Sequence, residues 1–314
     1  MANVKRILSL DGGGIRGVIP ARILMEVERM TGKPIAETFD YIAGTSTGGI
    51  LALCLTKPDH DGKPQFSAEY ILDMYRTHGS EIFSRSVWHA IKSLVNLTGP
   101  KYSADGIEAM LQKYLEGVNL SQALSRTLIP AYSIDHRGPR FFKSWAVGSS
   151  PADDTLMWQV ARATSAAPTY FPPFPLEDGP HPCTLIDGGV FANTPTMCVF
   201  ADAVRSEPEG TVFKVLSIGT GTGNGTIDPK KATHWGGLFW VSPLLEILLD
   251  GSTFITDYEM EHILDPTEHE YLRLQVTMPG DGTAMDDVTT IPSLVKSAED
   301  LLAARHQDLV DFLA

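Results

Sequence analysis

A serine framed by glycines, Gly44-Thr45-Ser46-Thr47-Gly48, lies between two apolar runs in "FDYIAGTSTGGILALCL". Where a strand turns sharply into a helix, such a serine is projected from the sheet edge. The flanking Gly44 and Gly48 relieve crowding there, and the helix N-terminus offers backbone N–H groups to a developing oxyanion. The same five residues also make an ordinary strand-to-helix turn. A serine that transfers acyl groups needs preorganised N–H donors, and "DGGGIRG" at residues 11–17 supplies them. Consecutive Gly12, Gly13 and Gly14 let the backbone approach a substrate closely and aim several amides one way. The serine also needs a base. Nine histidines sit mostly in polar or mixed surroundings and none stands out. Asp187, in "TLIDGGVFANTP", ends an apolar run, and a carboxylate buried beside a serine and away from cations has its pKa raised toward a useful value. Read without its partners, Asp187-Gly188-Gly189 is equally a strand-end turn.

The elements around these residues are legible from periodicity. Residues 5–10 read as a strand that ends on the glycine loop, and "PARILMEVERM" from Pro20 has apolar residues at helical spacing. Residues 39–44 read as a second strand, and residues 49–55 as a helix starting immediately after the serine turn. Further strand candidates are 127–133, 140–145, 183–187, 212–221 and 271–276. Helical stretches fall near 104–116, 155–165, 195–205 and 238–263, and a final amphipathic helix runs from about 292 to 313. Strands alternating with helices imply an α/β fold with a largely parallel sheet covered on both faces. The glycine loop and Ser46 then emerge at the same sheet edge. Two stretches, 80–97 and 235–251, are unusually apolar or aromatic; they read as helices packed on the sheet or as a lid or wall admitting acyl chains.

Gly12-x-Gly14-x-x-Gly17 also fits a dinucleotide-binding loop, so a nucleotide-binding module with no catalytic serine is an alternative reading. That reading wants an acidic residue at the end of the second strand, which instead ends in Gly44-Thr45-Ser46. An α/β-hydrolase places several strands before its nucleophile; here one strand and one helix precede Ser46.

Composition bounds the function. The 314 residues are 43% hydrophobic, enough for one large core, and a single domain over 1–314 is expected. A net charge of −13 argues against a DNA or RNA polymer as ligand and against electrostatic recruitment to anionic lipid, so any lipid contact has to be apolar. Cys54, Cys183 and Cys198 form no metal-binding spacing and read as buried free thiols. With no apolar run suited to a signal peptide or membrane span, the expected location is cytoplasmic, with membrane association when active.

Taken together, "DGGGIRG", "GTSTGG" at 44–49 and "DGG" at 187–189 resemble the patatin-like phospholipases. "ARATSAAPTYFPP" at 161–173 and "ANTP" at 192–195 resemble further segments of that family. The resemblance spans about residues 5–220, with the remainder completing the same domain. It implies a three-layer α/β/α fold with a central, mostly parallel sheet, and hydrolysis of phospholipid or lysophospholipid acyl esters without metal or other cofactor. By resemblance Ser46 is the nucleophile and Asp187 the base, and the amides of Gly12, Gly13 and Gly14 form the oxyanion hole. Arg16 is expected to organise the glycine loop. An acyltransferase using the same acyl-enzyme is the nearest alternative. Some bacterial relatives of similar size are switched on by cyclic oligonucleotides, so such an activator is among the partners the resemblance suggests.

Overall fold

The computed structural model describes residues 3–82, 100–146, 154–177, 181–223, 226–265, 267–278 and 284–314. The strands are β1 (Val4–Leu10), β2 (Tyr41–Gly44), β3 (Arg126–Ser133), β4 (Gly138–Lys143), β5 (Phe174–Leu176), β6 (Cys183–Asp187), β7 (Val212–Ile218), β8 (Thr222–Gly223), β9 (Glu270–Leu274) and β10 (Thr277–Met278). The α-helices are α1 (Val18–Thr31), α2 (Ile35–Thr38), α3 (Thr47–Thr56), α4 (Ala68–Ile82), α5 (Asp105–Leu115), α6 (Met157–Thr164), α7 (Gly189–Ala192), α8 (Thr196–Ser206), α9 (Pro229–Ala232), α10 (Gly237–Ile263), α11 (Ile291–Ala304) and α12 (His306–Leu313).

β3, β2, β1, β7 and β9 lie side by side and parallel. Their side chains alternate between two cores. Leu8, Leu10, Ile42, Ile129, Leu216 and Leu274 face one way, into a core with α1, α3, α4, α5, α6, α11 and α12. Ile7, Tyr41, Ala43, Leu128 and Val215 face the other way, against α8 and the end of α10. Both faces of these strands are therefore buried, which explains why they read as near-continuous apolar runs. The sheet is mixed and mostly parallel with helices on both sides, as the sequence implies.

Three features depart from the sequence reading. β6 runs antiparallel to β3, so Asp187 arrives at the site from the opposite direction to Ser46. Helix α4 has no counterpart in the expected elements. The final helix is interrupted at Arg305, whose backbone leaves helical geometry (φ −114°, ψ 20°); beyond it α12 buries Leu309 and Phe312 in the first core. Of the two apolar stretches, 80–97 lies outside the described residues from position 83 onward.

One detail of the sheet sets the geometry of the site. At Leu128 the partners of β3 are Ala43 of β2 and Lys143 of β4, and at Ala131 they are Asp187 of β6 and Arg140 of β4. With β4 along one edge, β2 and β6 must occupy the other edge end to end. The strand that delivers Ser46 and the strand that delivers Asp187 therefore meet at their C-terminal ends.

Candidate active site

Ser46 caps α3 in a conformation that few side-chain-bearing residues adopt, φ 55° and ψ −122°. Several contacts hold it there. Its N–H donates to Thr164 Oγ1 (3.0 Å), and Thr164 Oγ1 donates in turn to Pro130 O (2.7 Å). The flanking glycines are required sterically: a Cβ at Gly44 would lie 2.0 Å from Gly48 O, and one at Gly48 would lie 2.3 Å from Leu10 O and 2.7 Å from Asp11 O. Because those obstacles are backbone carbonyls of β1 and its loop, Gly48→Ala should lower unfolding free energy by about 3 kcal/mol or more and abolish activity. Gly117→Ala, where a Cβ meets nothing within 4 Å, is the control in the same denaturant titration.

Asp187, at the end of β6, is buried. Its N–H donates to Ala166 O (3.1 Å), so residues 164 and 166 anchor the backbones of both Ser46 and Asp187. Burial pushes the Asp187 carboxyl up to about 6, and hydrogen bonds from the Ser46 side chain and the Gly189 N–H pull it only partly back. The Gly189 N–H lies 2.7 Å from Asp187 Oδ1. No histidine is among the described residues lining the adjoining cavity.

The glycine loop passes beside the serine: a Cβ at Gly12 would fall 3.3 Å from Ser46 Cβ. Gly12 differs from the expectation, because its N–H already donates to Asn193 O (3.1 Å). Among the described residues the N–H groups of Gly13 and Gly14 have no acceptor, and neither does that of Thr47 directly after the serine. Arg16 donates from Nε to Gly13 O and from its terminal nitrogen to Gly221 O, each at 3.3 Å, tying the loop to the segment after β7. Burial lowers the Arg16 pKa from its ordinary value, and nearby Asp250 acts in the opposite sense.

No local pattern in the sequence marks Arg273. Its guanidinium grips buried Asp11, the first residue of the glycine loop, through two hydrogen bonds of 3.2 and 2.6 Å, and reaches Ser217 Oγ (2.9 Å) and Asp257 (3.2 Å). Burial alone would lower its pKa, but the charges of Asp11 and Asp257 and the hydrogen bonds to Asp11 reverse the sign, and Arg273 stays cationic. Arg273→Met would leave Asp11 buried without its hydrogen-bonded cation. A stability loss of roughly 3–5 kcal/mol is expected in denaturant, with a smaller loss for Arg273→Lys, which keeps charge but not the fork.

From Ser46 and Asp187 a cavity runs along α3 between α4 and α5, lined by Ile50, Cys54, Ile71, Met74, Ile107 and Met110. Cys54 is eight residues along the helix from Ser46, so this side is about 12 Å long. Burial pushes the Cys54 thiol up to about 12, so it is an inert part of the wall. Leu249 of α10 lines the opposite side. Among the described residues no group of three or more His, Cys, Asp or Glu is placed to hold a metal ion. The apolar lining beside the glycine loop, and the lack of an acid at the end of β2, do not suit a nucleotide.

A family model described as "Patatin-like phospholipase" matches residues 8–199. Patatin-like protein 2 of Arabidopsis thaliana is 34% identical, across 96% of this chain and 83% of that protein. Patatin-like protein 1 of the same plant is 35% identical, across 95% and 81%. "Probable inactive patatin-3-Kuras 1" of Solanum tuberosum is 32% identical, across 94% and 86%.

Proposed function

The chain belongs to the patatin-like phospholipase family, whose members are generally lipid acyl hydrolases, and from that premise we propose that it cleaves phospholipid or lysophospholipid acyl esters through a Ser46 acyl-enzyme. The observation that carries this reading is the contact between Ser46, held at positive φ on its elbow, and a buried Asp187 with a pKa of about 6.

Asp187 accepts the proton of Ser46 as Oγ attacks the ester carbonyl carbon. A base of this pKa is largely ionised at neutral pH and strong enough to take the proton in the transition state. The carbonyl oxygen becomes an oxyanion, stabilised by the unengaged N–H groups of Gly13 and Gly14, with Thr47 N–H and the N-terminus of α3 beside them. Asp187 returns the proton to the leaving alcohol. Water, deprotonated by Asp187, then attacks the acyl-enzyme carbonyl carbon; the ester bond to Ser46 Oγ breaks, Asp187 returns the proton to Oγ, and the fatty acid leaves. Arg16 and Arg273 fix the loop from two sides, and the cavity along α3 takes the acyl chain. Gly12 contributes close approach rather than a donor, a change from the expected three-amide hole.

The test combines turnover with covalent trapping. Free fatty acid should be released from mixed micelles of phospholipid and monoacyl phospholipid, and a fluorophosphonate should add to the peptide containing Ser46 and abolish release. Folded protein that takes no label at Ser46 while releasing acid would place the nucleophile elsewhere.

A further inference from the structure

Helix α10 is inverted relative to an ordinary surface helix. Its inner face carries Leu249, Thr253, Thr256 and Met260; Leu249 lines the cavity and the other three are buried. Thr253 and Ser252 bond Asn193, the residue that holds Gly12. Its outer face carries Leu244, Ile247, Leu248, Phe254, Ile255 and Tyr258, all exposed, with Phe254 65% and Tyr258 58% accessible. Steps of three, four and seven residues place these on one stripe, with only Gly251 between Leu248 and Phe254 and no charge among them. Near the helix start Trp235 and Trp240 meet edge to face (5.2 Å), and Phe239 is 66% exposed. Water-facing positions are thus more apolar than buried ones, so the stripe is a contact surface.

Resting on the reading above that the substrate is a lipid acyl ester, we propose that this stripe of α10 lies on the surface of a neutral, zwitterionic lipid aggregate and sets the active-site cavity against it. Two observations commit the face to lipid. First, the stripe is continuous with the cavity wall: Leu248 points outward and its neighbour Leu249 lines the cavity, so the docked surface lies within one helix diameter, about 10 Å, of the site. Second, the chain carries a net charge of −13 and the stripe is uncharged, so contact is made by apolar and aromatic side chains and not by attraction to anionic headgroups. Among the described residues no helix is long and apolar enough to cross a membrane, so the helix lies in the interface.

The test is flotation of the protein with phosphatidylcholine vesicles, with and without phosphatidylserine and at low and high salt. Wild type is compared with a Phe254→Ser/Ile255→Ser double variant and, independently, with Leu244→Ser/Leu248→Ser. Wild type should float with phosphatidylcholine alone, insensitive to salt and not strengthened by phosphatidylserine. Each double variant should partition roughly tenfold or more weakly, as expected for withdrawing two large apolar side chains. Hydrolysis of a water-soluble short-chain ester should be unchanged in both. Absence of wild-type binding, equal binding by the variants, or binding that requires anionic lipid and fails at high salt would each overturn the proposal. A wild-type dimer in light scattering that both variants convert to monomer would give the face to a second copy instead. Loss of soluble-ester hydrolysis in wild type would count against the hydrolase reading and leave the flotation result standing.

Discussion

Ser46→Ala is expected to lower acyl-ester hydrolysis at least about a thousandfold, a loss of roughly 4 kcal/mol in transition-state stabilisation, while leaving the fold intact. Deletion of the hydroxyl removes the group that Asp187 is proposed to deprotonate. The companion variant Ser46→Gly separates catalysis from folding. At φ 55° and ψ −122° any side chain is strained, by about 1–3 kcal/mol, and glycine is not. Part of that gain is offset by the greater freedom of glycine in the unfolded chain. Ser46→Gly should therefore be as inactive as the alanine variant yet melt at or above the wild-type temperature. A glycine variant clearly less stable than wild type would show that the elbow is relaxed, and turnover surviving in Ser46→Ala would remove the serine from the mechanism.

Asp187→Asn should cost at least about a thousandfold in kcat/KM, since the amide cannot accept the Ser46 proton. In the wild type, kcat/KM for a soluble ester should rise as pH increases through about 6 and level off above it, because only the ionised carboxylate serves as base. Stability should move the other way. The carboxyl titrates near 3.8 when exposed and near 6 when folded, so between these values the folded protein holds a proton that the unfolded chain has released. Stability from this group falls as pH rises across that window, and above it the buried charge costs up to about 3 kcal/mol. Asp187→Asn removes that cost, and its amide oxygen still accepts the Gly189 N–H. The variant should be more stable than wild type on the alkaline side of the window and little different below it, read from urea titrations on both sides. An active asparagine variant, or equal stability of the two proteins at alkaline pH, would contradict the assignment.

Ser46, Asp187 and the glycine loop are legible in the sequence because each lies within a few residues of a strand end and is marked by glycines. Local pattern carries that information. Arg273 is invisible to it: the arginine meets Asp11 across 262 residues of sequence, and nothing nearby distinguishes it from a solvated charge. Thr164 and Ala166 stand in a segment that resembles the family, but their use as anchors for Ser46 and Asp187 depends on how α6 ends against β3. The direction of β6 is equally hidden, since an apolar strand reads the same either way. The apolar segment 235–251 shows its hydrophobicity plainly, yet only the fold separates Leu249, on the cavity, from Leu248, on the outside. The engagement of Gly12 by Asn193 is likewise a long-range event, which leaves the N–H groups of Gly13 and Gly14 as those of the loop's glycines at 12–14 without an acceptor among the described residues.

The end-to-end seating of β2 and β6 on one edge of β3 has an evolutionary corollary. The separation of the proposed nucleophile and base is counted in residues of β3, three from Leu128 to Ala131, and not in the length of chain joining them. Lineages are free to lengthen or shorten the loops after α3, and that between β4 and α6, with the proposed dyad unaffected so long as Thr164 and Ala166 keep their places. A single residue inserted between Leu128 and Ala131 is a different event. It would shift Asp187 by about 3.3 Å and turn the following side chains of β3 to the opposite face. Length variation among homologues should therefore accumulate in the connections and be excluded from this short run of strand.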